Sequence, residues 1–247
     1  MINKQTIVHV VIAALLVVAV IAAGVSSSRH VGDPVCGKAQ IIVKDSTERQ
    51  YVHAGELQQM LHQAGLWPVG RTLSQISSHE IEQHLLTHPM LRSAECYELA
   101  KGEVRIVVRQ RQPMMLVRGD EHYYLDTDRK MMPVRASVNT PVVVVSGRIG
   151  RQQAEGEMYD FVEWLQDNDF WRDKIRSIRV VTPKMIELTD ESDGHSYTIV
   201  LGQLTGAEKR MDELQVLYEK GFDKLRTGYP KYKQIDLQYK GQIVGRM

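Results

Sequence analysis

Residues Ile7 to Val25 read IVHVVIAALLVVAVIAAGV, nineteen residues without a formal charge, and no other feature of the sequence limits the fold more. At ~1.5 Å per residue, a helix of that length spans close to the ~30 Å hydrocarbon core of a bilayer. Ala22, Ala23 and Gly24 would also suit a signal peptidase, but the run exceeds the ~7–15 residues of a signal core, so a retained transmembrane helix over 7–25 is expected. Lys4 and the terminal amine precede the run, and Arg29 follows it after Ser26, Ser27 and Ser28. This asymmetry is slight, but it places residues 1–6 in the cytoplasm and the bulk of the chain across the membrane. His9 is a single histidine, makes no proton pathway, and reads as an interfacial residue.

The chain beyond the anchor leaves room for two modest domains after a polar linker over 26–37. Hydrophobic residues at 43% and charged residues at 25% are the proportions of a folded chain, which excludes a disordered reading. Lys and Arg (31) balance Asp and Glu (30), so no long-range field draws the protein to nucleic acid. Cys36 and Cys96 have no Cys-x-x-Cys spacing, which excludes a zinc ribbon and a dense disulfide framework. One bridge stays open, although strand-borne cysteines more often pack as small apolar residues.

In the first outer domain, 38–110, Ala39 to Asp45 is a β-branched run of strand type. Leu57, Met60, Leu61 and Ala64 then recur at helical spacing, with Gly65 placed to end that helix. Ser77 and Glu80 have capping-box spacing ahead of Ile81, Leu85 and Leu86, and Pro89 stops the second helix. Leu91 to Leu99 and Glu103 to Arg109 are strands joined by a turn at Ala100, Lys101 and Gly102. His79 and His84, five apart, lie about 140° apart around a helix and cannot face one zinc; His84 and His88 could, but no third ligand is evident, so they read as structural or solvent-facing.

The second outer domain, 111–247, reads as a meander of Met114 to Arg118, His122 to Asp126, Met131 to Val134 and Pro141 to Ser146. Asp126 and Asp128 fall where a hairpin turn needs short polar residues. A helix over Gly156 to Asp169 follows, then strands Lys174 to Val181, Met185 to Thr189 and Tyr197 to Leu201. The last two form a hairpin turning at Ser192 to His195, with Asp190, Glu191 and Asp193 read as a solvated tip. A helix over Ala207 to Leu225 buries Met211, Leu214, Tyr218 and Leu225 and leaves Lys209, Arg210 and Lys220 outside. Tyr232 to Tyr239 alternates as a strand, and after Lys240-Gly241 the run Gln242 to Arg246 is a second one. A terminal strand tends to lie at a sheet edge, where unpaired N–H and C=O groups can accept a partner's strand.

The order strand, helix, helix, strand, strand directly after an anchor resembles a POTRA domain, carried locally by Ile81-x3-Leu85-x3-Pro89-x4-Ala94. Three further segments look like the FtsQ/DivIB family of cell-division proteins. They are Val104-x-Ile-Val-Val-x-x-Arg111-x-Pro113, Tyr123-Tyr124-Leu125-Asp126-x-Asp128-x-x-Met131-Met132-Pro133, and Ile235-Asp236-Leu237-Gln238-Tyr239. Gln110 and Gln238 depart from that family's usual Glu and Arg, which puts any carried-over salt bridge in question. The resemblance implies an α+β chain: one transmembrane helix, a POTRA domain, and a mainly antiparallel β domain with flanking helices. It implies a non-enzymatic divisome scaffold in the cell inner membrane, with its bulk in the periplasm at the division septum. Its partners would be FtsB- and FtsL-like proteins and, through them, the septal peptidoglycan synthases. Strand addition at the terminal edge would map onto Tyr239, Lys240, Gly241, Gln242 and Val244, with Lys209 and Arg210 as charged neighbours.

No catalytic residue, cofactor or metal site is expected. Two other readings compete. A POTRA-bearing envelope assembly factor would carry POTRA repeats or a membrane barrel of alternating strands of about ten residues. A membrane-anchored envelope hydrolase would show a Gly-x-Ser-x-Gly, Ser-x-x-Lys or His-Glu-x-x-His motif, unless it worked through a carboxylate pair of no fixed spacing.

Overall fold

The computed structural model describes residue 17 and residues 33–45, 50–99, 101–135, 140–191, 196–221 and 232–247. The apolar run 7–25 lies outside the described residues apart from Val17, and among the described residues no helix is long and apolar enough to cross a membrane. The turn at Ser192 to His195, Leu225 and Ala100 also lie outside them.

Strand β1 (Lys38–Val43), helices α1 (Ala54–Gln63) and α2 (Ser78–Leu86), and strands β2 (Leu91–Leu99) and β3 (Glu103–Gln110) form the first unit. The order of elements is the one expected from the sequence. Its sheet runs β1-β3-β2, with β1 parallel and β2 antiparallel to the central β3. The Ser77 hydroxyl accepts from the Glu80 amide at 3.2 Å, which satisfies one orphan N–H at the start of α2. Leu57, Leu61, Ile81 and Leu85 are the buried faces of the two helices, packed on Val104, Ile106 and Val108 of β3. Cys36 and Cys96 are both buried free thiols, and burial pushes the Cys96 thiol up.

Helix α2 stops at Leu86, so His88 lies beyond it and does not share a helical face with His84. His88 Nδ1 accepts from the Met90 amide at 3.3 Å, and its Nε2 lies 3.3 Å from Glu56 Oε1. His79 is exposed and His84 half-buried.

The second unit is a nine-stranded sheet. Strands β4 (Pro113–Arg118), β5 (His122–Asp126) and β6 (Met131–Pro133) form the expected meander. The fourth strand, β7 (Val143–Gly147), does not extend it; it crosses to the other side of β4 and pairs parallel. A short helix not marked from the sequence, α3 (Arg151–Glu155), precedes the expected one, which runs as α4 (Glu157–Asp167) after Gly156. They lead into β8 (Ile175–Thr182), parallel to β7, then β9 (Met185–Asp190) and β10 (Tyr197–Gly202). Helix α5 (Ala207–Lys220) returns the chain to β11 (Gln234–Asp236), parallel to β10, and β12 (Val244–Arg246) closes the order β12-β11-β10-β9-β8-β7-β4-β5-β6. Five of the eight neighbouring pairs are antiparallel; the three parallel ones follow long connections, as parallel pairing requires.

Strand alternation divides the sheet between two cores. Met115, Val117, Tyr123, Leu125, Val143 and Val145 join α4 and α5 on one face. Leu116, Tyr124 and Met132 point the other way, into the core of the first unit. The two units therefore share apolar surface, and each fully buried aliphatic side chain there is worth roughly 1.5–3 kcal/mol. Asp190, read from the sequence as part of a solvated tip, is fully buried and accepts from the Tyr218 hydroxyl at 2.7 Å.

Candidate functional site

The chain ends on the outer strand of the large sheet. Thr198 N donates to Lys233 O at 3.0 Å and Leu237 N to Val200 O at 2.9 Å, so the Lys233 C=O and the Leu237 N–H face β10, while Lys233 N donates to Arg246 O of β12 at 2.9 Å. By alternation, Gln234 and Asp236 turn theirs toward β12, through their partners Arg246 and Val244. Gly245, between those two, has its N–H and C=O on the outer side. It is the residue within β12 that offers the backbone pair an added strand needs.

Side chains hold this edge in place. Asp236, 4% exposed, accepts from Gln238 N at 3.1 Å and from Arg246 Nη2 at 3.2 Å, which ties β12 to β11. The Asp236 carboxylate is nearly fully buried while the Arg246 side chain is 54% exposed, so the pair closes from the solvent side. A Cβ on Gly245 would lie 2.9 Å from the Tyr232 ring, so only glycine lets that ring lie against the strand. The strands are joined by a turn in which Gln242 N donates to Tyr239 O at 3.2 Å and Gly241 takes φ +70°, a left-handed value that suits glycine.

Of the residues singled out from the sequence, Tyr239, Lys240, Gly241 and Gln242 are together in this turn and exposed, Tyr239 by 49%. Tyr239 is not in a strand, because β11 ends at Asp236. Val244 is half-buried, with its backbone facing β11. The sequence reading missed Gly245, because its outward direction follows from the pairing of Asp236 with Val244 across the turn at Gly241, which no period along the chain supplies.

Lys209 and Arg210 lie near the start of α5 and part company. Lys209 is exposed. Arg210, expected outside, is half-buried and folds back to donate to Thr205 O at 3.0 Å and to Gln203 O. Its Nε is buried with no hydrogen-bond partner among the described residues, and burial pulls its pKa down. Arg210 is thus a brace for the loop between β10 and α5. Neither residue shares a hydrogen bond or ion pair with the terminal turn among the described residues. That loop does border the site, since Gln238 packs against Gly202.

Residues 112–246, more than half of the chain, match the family described as FtsQ/DivIB, C-terminal related, and residues 34–109 match a POTRA-like domain. No curated protein matches the sequence closely enough to be named as a relative.

Proposed function

This chain belongs to the FtsQ/DivIB family, a family of non-enzymatic division scaffolds, and on that premise we propose that it recruits FtsB- and FtsL-like partners by strand addition at β12. In this reading residues 1–6 are cytoplasmic, 7–25 cross the inner membrane, 26–37 are a linker, 38–110 a POTRA domain and 111–247 the partner-binding β domain. The bulk of the chain would lie in the periplasm at the division septum. Bringing coiled-coil partners to the septal peptidoglycan synthases needs no chemistry, only a surface that holds them. The observation that carries the proposal is the outward backbone pair of Gly245 on a terminal edge strand, beside the exposed turn at Tyr239.

The opposite edge differs. Strand β6, three residues long like β12, contains Pro133, which has no N–H to give. Pairing at β12 is therefore the better offer of the two ends of the sheet.

Capture of the outer segments of an FtsB and FtsL pair by the full chain tests this, with Gly245→Pro compared against Gly245→Ala. Both variants place a Cβ against Tyr232, but only proline deletes the outward N–H. Loss of capture in the proline variant, with the alanine variant retaining it, supports strand addition; equal capture by both would overturn it and favour the other envelope roles.

A further inference from the structure

The three-stranded sheet has a second face that no described helix covers. Ala39, Ile41 and Val43 of β1 and Val104, Ile106 and Val108 of β3 point toward α1 and α2. The alternate residues point away. Along the other face Gln40 lies beside Arg105 and Arg105 beside Tyr97, and Ile42 lies beside Val107 and Val107 beside Glu95. Ile42 and Val107 are half-buried and belong to neither core. Lys38, Lys44, Arg105 and Arg109 surround them, all exposed and none in an ion pair among the described residues, with Glu103 beside Lys38 at the margin of the same face. The Glu95 carboxylate is taken by the Tyr97 hydroxyl.

We propose that this open face rests on anionic phospholipid headgroups of the membrane that carries the chain. The inference depends on the anchored reading given above. Cations around two branched aliphatics and a tyrosine are the composition of an interfacial surface, where long basic side chains reach headgroups and apolar ones reach the acyl boundary. Rows along the strands repeat every ~6.8 Å, so the cations stand in an array spread over the sheet. Mobile headgroups can rearrange beneath such an array, whereas a folded acidic partner would need its charges fixed in register. Residues 33–37 are fastened to the first unit, where Val35 bridges Thr72 and Cys36 N donates to Arg71 O at 2.8 Å, so the tether over 26–32 reaches at most ~25 Å at ~3.6 Å per residue, which keeps the sheet near the bilayer. Each basic residue at an anionic surface favours contact by about fivefold.

The test uses the full chain in nanodiscs of phosphatidylcholine alone or with about a third phosphatidylglycerol. A nitroxide at Gln40→Cys reports on the face and one at Glu208→Cys serves as control, both sites being exposed. Headgroup-bound nickel should relax the Gln40 label in the anionic discs and not the Glu208 label. High salt, or the pair Arg105→Glu and Arg109→Glu, should reduce that relaxation at least fivefold. Equal relaxation in both lipids, or relaxation that survives the charge reversal, would overturn the proposal. Protection of the label only when a protein partner is added would also overturn it, in favour of protein docking. Failure of the chain to co-elute with the discs would overturn the anchored reading itself, whereas strand capture at β12 is read separately and is unaffected by Arg105 and Arg109.

Discussion

Arg111 Nη1 donates to Asp126 Oδ2 at 2.7 Å, joining the segment that leaves β3 to the turn that follows β5. The aspartate side chain is 1% exposed and its other oxygen accepts from Asp128 N at 2.9 Å and Lys130 N at 2.7 Å. What the sequence presented as turn polarity is thus also a buried ion pair where the two units meet. Removing one partner of such a pair strands the other charge. Asp126→Ala should lower unfolding stability by roughly 3–5 kcal/mol, measured by chemical denaturation. Asp126→Asn, which keeps one oxygen for the amides, should cost less.

Between the units, Arg135 Nη1 lies 3.2 Å from Glu56 Oε1, and His88 Nε2 lies 3.3 Å from the same oxygen. Burial alone would raise the Glu56 carboxyl, but the hydrogen bonds from His88 and Arg135 hold it below its ordinary 4.5. A carboxyl depressed in the folded state adds stability that is present above 4.5 and lost as pH falls through the folded value. Glu56→Gln should therefore lower Tm at neutral pH and show a smaller further loss on acidification than the parent chain.

Tyr218 and Asp190 give a prediction independent of the site. Tyr218→Phe removes a donor to a fully buried carboxylate and should cost roughly 1.5–3 kcal/mol in denaturant unfolding. Strand capture at β12 by the folded fraction should be unchanged.

Lys209 and Arg210 should separate in the same way as their geometries. Arg210→Ala loses two bonds to loop carbonyls and should destabilise the chain by roughly 1–2 kcal/mol. Lys209→Glu, on an exposed side chain, should stay within about 0.5 kcal/mol in stability and alter mainly the on-rate and salt dependence of partner capture.

The two thiols are buried, and that of Cys96 is pushed up by burial, so neither should react with a thiol reagent in the native chain. Both should react at once in denaturant; rapid native labelling of either would contradict the packing described for the first unit.

Gln110 shows where reading from sequence ran short. In a strand pattern it is one more alternating polar residue, and as a departure from a resembling family it left a salt bridge in question. In the fold its Oε1 accepts from Tyr51 N at 2.7 Å and Val52 N at 2.9 Å, fastening the segment that leads into α1. No local signal marks a contact made across about sixty residues. Asp190 failed likewise: its neighbours in sequence are polar, and its neighbours in space are Tyr218 and the aromatic core around Trp171.

By itself the sequence determined what depends on residues close along the chain. Periods of two and 3.6 mark one-sided burial, Ser77 and Gly65 mark helix ends, and the terminal run of alternating residues marks a last strand. Tertiary structure decided which strands became neighbours: β7 chose the far side of β4, and β12 took the edge beside β11. It also decided which polar groups had to be paired, because a carboxylate such as Asp126 or Asp236 becomes costly only once packing has removed the water around it.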